Sequence, residues 1–545
     1  MSGMRTRRPR SRTWSTIVTV LSAVTVFVAA VAPGLVDSGS PLALARVPIE
    51  CLLGLVVLIL LPWRWGRRTV AILLAALLVA ATLLAALDRV FVATVGKPFD
   101  VVSGWSELVD GYGVVSDSAG TLGAAALLAL VGLLVAAAVV AIAASLLHLA
   151  HVLRRRRRAS LIGASALTAG WLVLALVGAQ LVAGEPVAAA DSVAAATSSV
   201  DQMEVAARDQ AVFDRSAASD PYARLPASDL LTGLKGKDVL VVFVESYGQV
   251  AVQGTSFSPG VDGVLRSGEA GLAAHGYSER SAFLTSSTFG GISWLAHSTL
   301  QTGLWVDSQQ KYDQVTATTR FTLSDAFRKA GWQTFSDVPS DTKPWPIGSS
   351  FYHWGKQLNA KNVAYDGPNF SYARVPDQYT WSYLQQHELG VPHQPLMGEI
   401  DLVSSHTPWT PLPHLLPWSA IGDGSVYDPQ PAEGLPPSVV WQSPQHVQQL
   451  YGESIQYTMG ALFSFLTTFD DPNLVLVVLG DHQPATVVSG VGANHDVPIS
   501  IIAKDPTVID RIGSWNWQPG MLPSASAPVW KMDTFRNRFL SAYGP

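Results

Sequence analysis

NLVLVVLGDHQP, residues 473–484, is an unbroken apolar run that stops at Gly480 and gives way at once to Asp481 and His482. A run without polar alternation describes a strand covered on both faces, as in a parallel sheet packed between helices. Ligands in open α/β sheets sit just beyond the carboxyl ends of strands, which is where Asp481 and His482 fall. A carboxylate beside an imidazole at such an end is a candidate divalent-metal pair, and is equally a common dipeptide. The choice between these depends on partners elsewhere in the chain.

A second run of the same kind, DVLVVFVESYG (238–248), ends in Glu245. Between the two lie helical patches such as TLSDAFRKAGW (322–332), where Ser324 is placed to cap, and further apolar or aromatic segments: TFSDVP, MGEIDLVSSHTPW and, later, VPISIIAKDP. Strands alternating with helices predict one α/β domain with a mainly parallel central sheet over 237–545. Pro- and Trp-rich loops, notably 405–447, decorate one edge of it.

The N-terminal third has a different composition. Of 545 residues, 48% are hydrophobic and 14% charged, and the long uncharged Ala/Val/Leu runs lie before residue 185. Five stretches, about 14–36, 42–62, 69–87, 121–150 and 160–183, are long enough to span roughly 30 Å of hydrocarbon as helices. Basic clusters lie before the first run, at Arg64, Arg67 and Arg68, and at Arg154–Arg158. With five spans they fall on one side, which the positive-inside rule makes cytoplasmic; everything after Gly184 is then extracytoplasmic. A cleaved signal peptide is the competing reading of the first run, against which stand its length and the spans that follow. The segment 88–120, with Trp105, Glu107, Asp110 and Tyr112, is expected outside, either as a mere connector or as a contact for headgroups or the globular domain. The Ala-rich polar stretch 185–236 is expected to be a partly helical linker.

The net charge of -5 says little, because basic residues cluster near the apolar runs and acidic ones lie mostly beyond them, and a nucleic-acid partner gets no support. The single cysteine, Cys51, lies in an apolar run, so the globular part has no disulfide, no Cys-based zinc cluster and no cysteine nucleophile.

Between the acid-tipped strands stands SAFLTSSTFGGISWLAHSTLQTG (281–303). Its two glycines permit a tight turn, and Ser293 follows them at the start of a helical pattern. A hydroxyl there is close to free backbone amides and the positive dipole end, a setting for attack on a phosphate-like anion; it is equally the usual place of an N-cap serine. His297, one turn later, either faces the same pocket or packs in the core. In VSSHTPWTPLP, His406 is suited to donate to a leaving group or to hold an oxyanion, or else bonds loop backbone. His495, in ANHDVPISI, is a further candidate contact or a core-edge histidine.

The set VFVESYG, TFGGISWLAHSTL, SSHTPW and LGDHQP, in that order, resembles the alkaline phosphatase/sulfatase superfamily, and within it the membrane-anchored branch of lipoteichoic acid synthases (phosphoglycerol transferases) and phosphoethanolamine transferases. The resemblance covers nearly the whole chain and is weaker in 185–236 and 410–447. It implies a bacterial plasma-membrane enzyme with an external sulfatase-like domain, which hydrolyses or transfers phosphodiester or phospholipid headgroups of a lipid or lipid-linked envelope polymer. Carried over by motif, it implies one or two divalent ions (Mn²⁺, Mg²⁺ or Zn²⁺) on Glu245, Ser293, Asp481 and His482. Ser293 would be the nucleophile and form a covalent phospho-serine, and His406 would contact substrate or leaving group. Trp345, Asp366 and Asp377 lie in segments that resemble the substrate side of the branch, and His297 and His495 are expected as further substrate contacts. Ser stands where the synthases have Thr, which preserves the chemistry. Ser293-Trp294-Leu295-Ala296-His297 is not the C/S-x-P-x-R that formylglycine requires, so no formylglycine is expected. The arginine-bearing phosphate-site motif of the family is not found. Two alternatives stay open: sulfate-ester hydrolysis without formylglycine, and a non-catalytic envelope-binding protein with a sulfatase-like domain.

Overall fold

The computed structural model describes residues 12–101, 104–182 and 185–545. The basic stretch before Arg12, Gly184, and the side chains of Glu107 and Asp110 lie outside that description. The chain divides into two compact units, Met1–Val92 with Lys97–Arg208 and Ala93–Gly96 with Asp209–Pro545.

The first unit is helical: α1 (Arg12–Ser38), α2 (Ile49–Leu60), α3 (Arg64–Val95), α4 (Gly104–Arg154), α5 (Arg157–Leu176) and the start of α6 (Asp191–Ala217). Among the described residues four helical segments are long and apolar enough to cross a membrane, Thr13–Ser38, Arg64–Val95, Thr121–Arg154 and Arg157–Leu176. The stretch expected as a second span is instead the 12-residue α2, about 18 Å long at 1.5 Å per residue. Pro41, at the start of a short 3₁₀ turn, and Pro48 just before α2 keep the preceding residues out of it. Val26, Ala30, Leu58, Ala71, Ala75, Leu78, Ile142 and Leu146 form the buried seam of this unit. At one end Arg154 Nη1 donates to the carbonyls of Ile59 (2.8 Å) and Leu61 (2.7 Å), and Arg67 Nη1 donates to Leu61 (3.1 Å). Two of the basic clusters therefore share one end of the bundle. The 88–120 segment is not an open loop. α3 runs on to Val95 and α4 begins at Gly104, with the turn closed by Phe99 N donating to Asp88 Oδ1 at 2.8 Å.

The globular unit begins earlier than the first strand. Phe213 of α6 is buried in its core, Asp209 pairs with Lys311, and Asp220 takes Arg536 (2.7 Å) and Arg320 (3.2 Å). Its principal elements are β1 (Asp238–Val244), α7 (Ser258–Ala274), β2 (Ser278–Thr285), α8 (Ser293–Thr302), α9 (Leu323–Ala330), β3 (Gln333–Val338), β4 (Lys356–Asn359), α10 (Asp377–Leu384), β5 (Leu396–Leu402), α11 (Pro444–Phe469), β6 (Leu474–Gly480), β7 (Asp496–Ala503), β8 (Gln518–Pro519) and β9 (Val529–Lys531). The sheet order is β8-β2-β7-β6-β1-β5-β3-β4, with β9 beside β2. The run β6-β1-β5-β3-β4 is parallel throughout, and β7 runs against both its neighbours.

Every residue of β1 and β6 is buried. Alternate side chains feed two cores: Leu240, Val242, Val244, Leu476 and Val478 pack with Val261 of α7 and Leu462 of α11, whereas Val241, Phe243, Val477 and Leu479 pack with Leu295 of α8 and Phe327 of α9. This two-sided cover explains the lack of alternation in the sequence; each fully buried Val or Leu contributes up to about 1.5–3 kcal/mol. One cap differs from expectation. Thr322, not Ser324, caps α9, accepting from Asp325 N at 3.1 Å in a reciprocal box, while the Ser324 hydroxyl donates to Tyr352 O at 2.6 Å. A reciprocal pair with the third helical residue is open to Thr322 but not to Ser324, which already lies inside the helix.

Candidate active site and metal centre

Parallel pairing of β1 and β6 puts Val244 opposite Gly480, so Glu245 and Asp481 each emerge one residue past adjacent strand ends. Gly480 is required there: a Cβ would lie 1.9 Å from Tyr247 O. Ser246 joins the two acids. Its backbone is left-handed (φ 59°), its N–H donates to Asp481 Oδ1 at 2.7 Å and its hydroxyl donates to Glu245 Oε1 at 2.8 Å. The Tyr451 hydroxyl holds the Ser246 carbonyl at 2.8 Å. A left-handed non-glycine residue costs about 1–3 kcal/mol, and the two carboxylate contacts account for its retention here.

Ser293 is the first residue of α8, not its N-cap. The cap position belongs to Ile292, left-handed at φ 64°, preceded by Gly290 at φ 70°. Gly290 N donates to Gln483 O at 2.8 Å, which ties the glycine turn to the chain leaving β6. The Ser293 hydroxyl is thereby aimed at the strand ends, donating to Glu245 Oε2 at 3.0 Å and lying 3.2 Å from His482 Nε2. His482 is orientated by the bond between its Nδ1 and Gln483 O (2.9 Å), so Nε2 faces Ser293, Glu245 Oε1 (3.4 Å) and Asp481 Oδ2 (3.7 Å).

The charges of this cluster are strongly linked. Burial works against the Glu245 carboxylate, but the imidazoles of His406 and His482 offset it and hold the group below the usual carboxylate range. Burial, reinforced by the charge of Glu245, pushes Asp481 up to about 7. Burial opposes charge on His482, and Asp481 and Glu245 overcome it, raising the imidazole to about 9. Two buried carboxylates this close call for a cation beyond the single imidazole. The donor set fits one. Glu245, Asp481 and His482 present ligand atoms within 4.8 Å of one another. The separations around the Ser293 hydroxyl resemble the edges of a coordination shell with arms of about 2.1 Å, roughly 3.0–3.4 Å long.

Other candidates divide. His406, after β5, has Nδ1 on the Thr407 carbonyl and its ring stacked on Tyr372 (3.8 Å, 14°); its charge bears on Glu245. His297 is beneath Ser293, stacked on Phe243 and turned to Glu399 and Asp401. Asp377 is withdrawn from the substrate side. It is wholly buried, Oδ1 accepts from Ser404 N (3.0 Å) and Oδ2 from the Thr458 hydroxyl (2.5 Å), so it clamps α10 to the loop after β5. Trp345 packs against the core edge and Tyr352, and His495 rests against Phe289; among the described residues neither joins a group that could hold a metal ion. Sequence reasoning passed over Ser246, Glu399 and Asp401. The signal for the acids was present as Glu-Ile-Asp in a strand, two carboxylates on one face.

No protein-family model matches the sequence, and no curated protein does. Among solved structures the chain is similar to the integral membrane lipooligosaccharide phosphoethanolamine transferase A from Neisseria meningitidis, with 13% identity over 96% of this chain and 95% of that one, TM-score 0.44. It is also similar to a lipoteichoic acid synthase from Listeria monocytogenes (14% identity, 61% and 80% covered, TM-score 0.35). A third likeness is to a phosphoglycerol transferase from Streptococcus pyogenes in complex with sn-glycerol-1-phosphate (12% identity, 62% and 80% covered, TM-score 0.36).

Proposed function

We propose that the chain is a membrane-anchored enzyme of the alkaline phosphatase/sulfatase superfamily that hydrolyses or transfers a phosphodiester headgroup of a lipid or lipid-linked envelope polymer through a phospho-serine. One observation carries this reading: the Ser293 hydroxyl meets Glu245 Oε2 at 3.0 Å and His482 Nε2 at 3.2 Å at the mouth of two parallel strands. Glu245, Ser293, Asp481 and His482 are the residues that would hold a divalent ion, Mn²⁺, Mg²⁺ or Zn²⁺. When bound, such an ion supplies Lewis acidity, which lowers the hydroxyl pKa and offsets charge on the attacked phosphate.

The residues then have distinct tasks. Glu245 Oε2 accepts the hydrogen bond of the Ser293 hydroxyl and aims its oxygen at phosphorus, and the hydroxyl proton is released to water as the oxygen attacks. The positive dipole end at the start of α8 favours the phosphate anion beside it. As the new Ser293 O–P bond forms, the bond to the headgroup's alcohol breaks, and His406 donates a proton to the departing oxygen. In the second step His406 takes the proton from water or an acceptor hydroxyl, the Ser293 O–P bond breaks and the hydroxyl is restored. The apolar helices of the first unit support a membrane anchor for the chain. The shared basic end of α2, α3 and α4 supports a cytoplasmic placement of Arg67 and Arg154, with the N-terminus cytoplasmic and five spans exporting the catalytic domain. α2 would then be the span that needs extension.

The test is headgroup release from fluorescent phosphatidylglycerol and phosphatidylethanolamine by the full-length protein in proteoliposomes. Wild type is expected to release headgroup and Ser293→Ala is not; equal turnover by both would overturn the role of Ser293.

A further inference from the structure

One turn beyond Ser293 on α8, His297 lies flat against Phe243, ring centroids 3.8 Å apart and planes 12° from parallel. Its Nδ1 is 3.5 Å from Glu399 Oε1 and 3.6 Å from Asp401 Oδ1. Glu399 and Asp401 are two apart on β5 and so share one face. The parallel register with β1 sets Asp401 opposite Phe243. Three donors from two elements thus converge within 4.8 Å of one another.

These distances are too long for good N–H···O bonds, which fall at about 2.7–3.2 Å, and lie just above the roughly 3.0–3.4 Å edges of a shell with arms of about 2.1 Å, so a small inward turn of the side chains would close them on an ion. Two further observations point the same way. Asp401 Oδ1 is sealed from solvent and has no hydrogen-bond partner. Glu399 Oε2 accepts from Gln301 Nε2 at 2.5 Å, which turns Oε1 toward the shared centre. Glu399 is buried and Asp401 half-buried with one oxygen left unsatisfied, a pair that asks for positive charge, and one imidazole and two carboxylates form a donor set suited to Mn²⁺ or Zn²⁺.

We propose that His297, Glu399 and Asp401 form a second divalent-cation site, separate from the Glu245, Ser293, Asp481 and His482 set. It ties α8 to β5 within one helical turn of Ser293. The proposal stands on these three side chains and does not require the first set to be catalytic.

The test uses tag-free, full-length protein, stripped with chelator, equilibrated with Mn²⁺ or Zn²⁺, freed of loose ions and assayed for metal per chain. Wild type is expected to hold two ions, Asp401→Asn and His297→Gln one each, and Asp481→Asn one. The proposal is overturned if both second-site variants keep the wild-type metal content, or if wild type holds a single ion that Asp481→Asn removes. A single ion lost in Asp401→Asn but kept in Asp481→Asn would support this site and defeat the first. Should a variant fail to melt cooperatively, Mn²⁺ titration of wild type followed by electron paramagnetic resonance decides instead: two tight ions support the proposal, one or none overturns it.

Discussion

The two candidate ligand groups, one just past the ends of β1 and β6 and one between β5 and α8, are built on opposite plans. Around Asp481 the backbone does the positioning: two amides, from Ser246 and His482, converge on Oδ1 at 2.7 Å each. Around Asp401 side chains do it, and Oδ1 is left without a hydrogen bond. The first group is therefore held in shape whether or not an ion is present. The second holds its charges together only through His297, or through a cation. Preorganisation by main-chain amides suits a site that must present a nucleophile in one geometry; a site framed by side chains suits a brace.

That contrast can be broken at several points. The largest effect is expected from Ser293→Ala, which removes the oxygen proposed to attack and should lower headgroup release at least about a thousandfold with little change in melting temperature. Asp481→Asn comes next: activity at saturating Mn²⁺ should fall by about a hundredfold or more, since the strand end loses a charged donor. A loss below threefold would mean the first group is not the working centre.

Ser246→Ala sharpens the comparison further. It keeps the amide to Asp481 but deletes the hydroxyl on Glu245, so metal affinity should weaken about 10–100-fold, with activity recovered at high Mn²⁺. Equal metal affinity in variant and wild type would assign Ser246 a purely structural role.

Asp337 supplies a control with the smallest effect. Both its oxygens are buried and unpartnered, it belongs to neither ligand group, and burial, then Glu388, pushes it up to about 7. A folded-state pKa above the unfolded value means that the stability this carboxyl allows is complete below about 4 and is lost as pH rises through about 7. Asp337→Asn lacks that loss. Calorimetry should find it about 2 kcal/mol more stable than wild type at pH 8, with the gain shrinking toward pH 5 and unaffected by Mn²⁺. A gain independent of pH would exclude ionisation of Asp337 as its cause.

The sequence alone carried the strands with their acid tips, the glycine turn before Ser293 and the apolar runs of the helical unit, because each is local: burial pattern, backbone freedom and hydropathy are written in neighbouring residues. It also carried the α/β class, through alternation of strand and helix. Whether Asp377 faced substrate or core was not local; its partners Ser404 and Thr458 are far away in the chain. The same holds for His297, whose two acids arrive on β5. Only the tertiary structure decided that β1 and β6 are neighbours in parallel register, and with that pairing Glu245 and Asp481 became one site. The physical reason is that strand pairing is selected by the packing of two cores, not by the strands' own residues, so an acid at the end of an apolar run acquires its meaning from the strand that lies beside it.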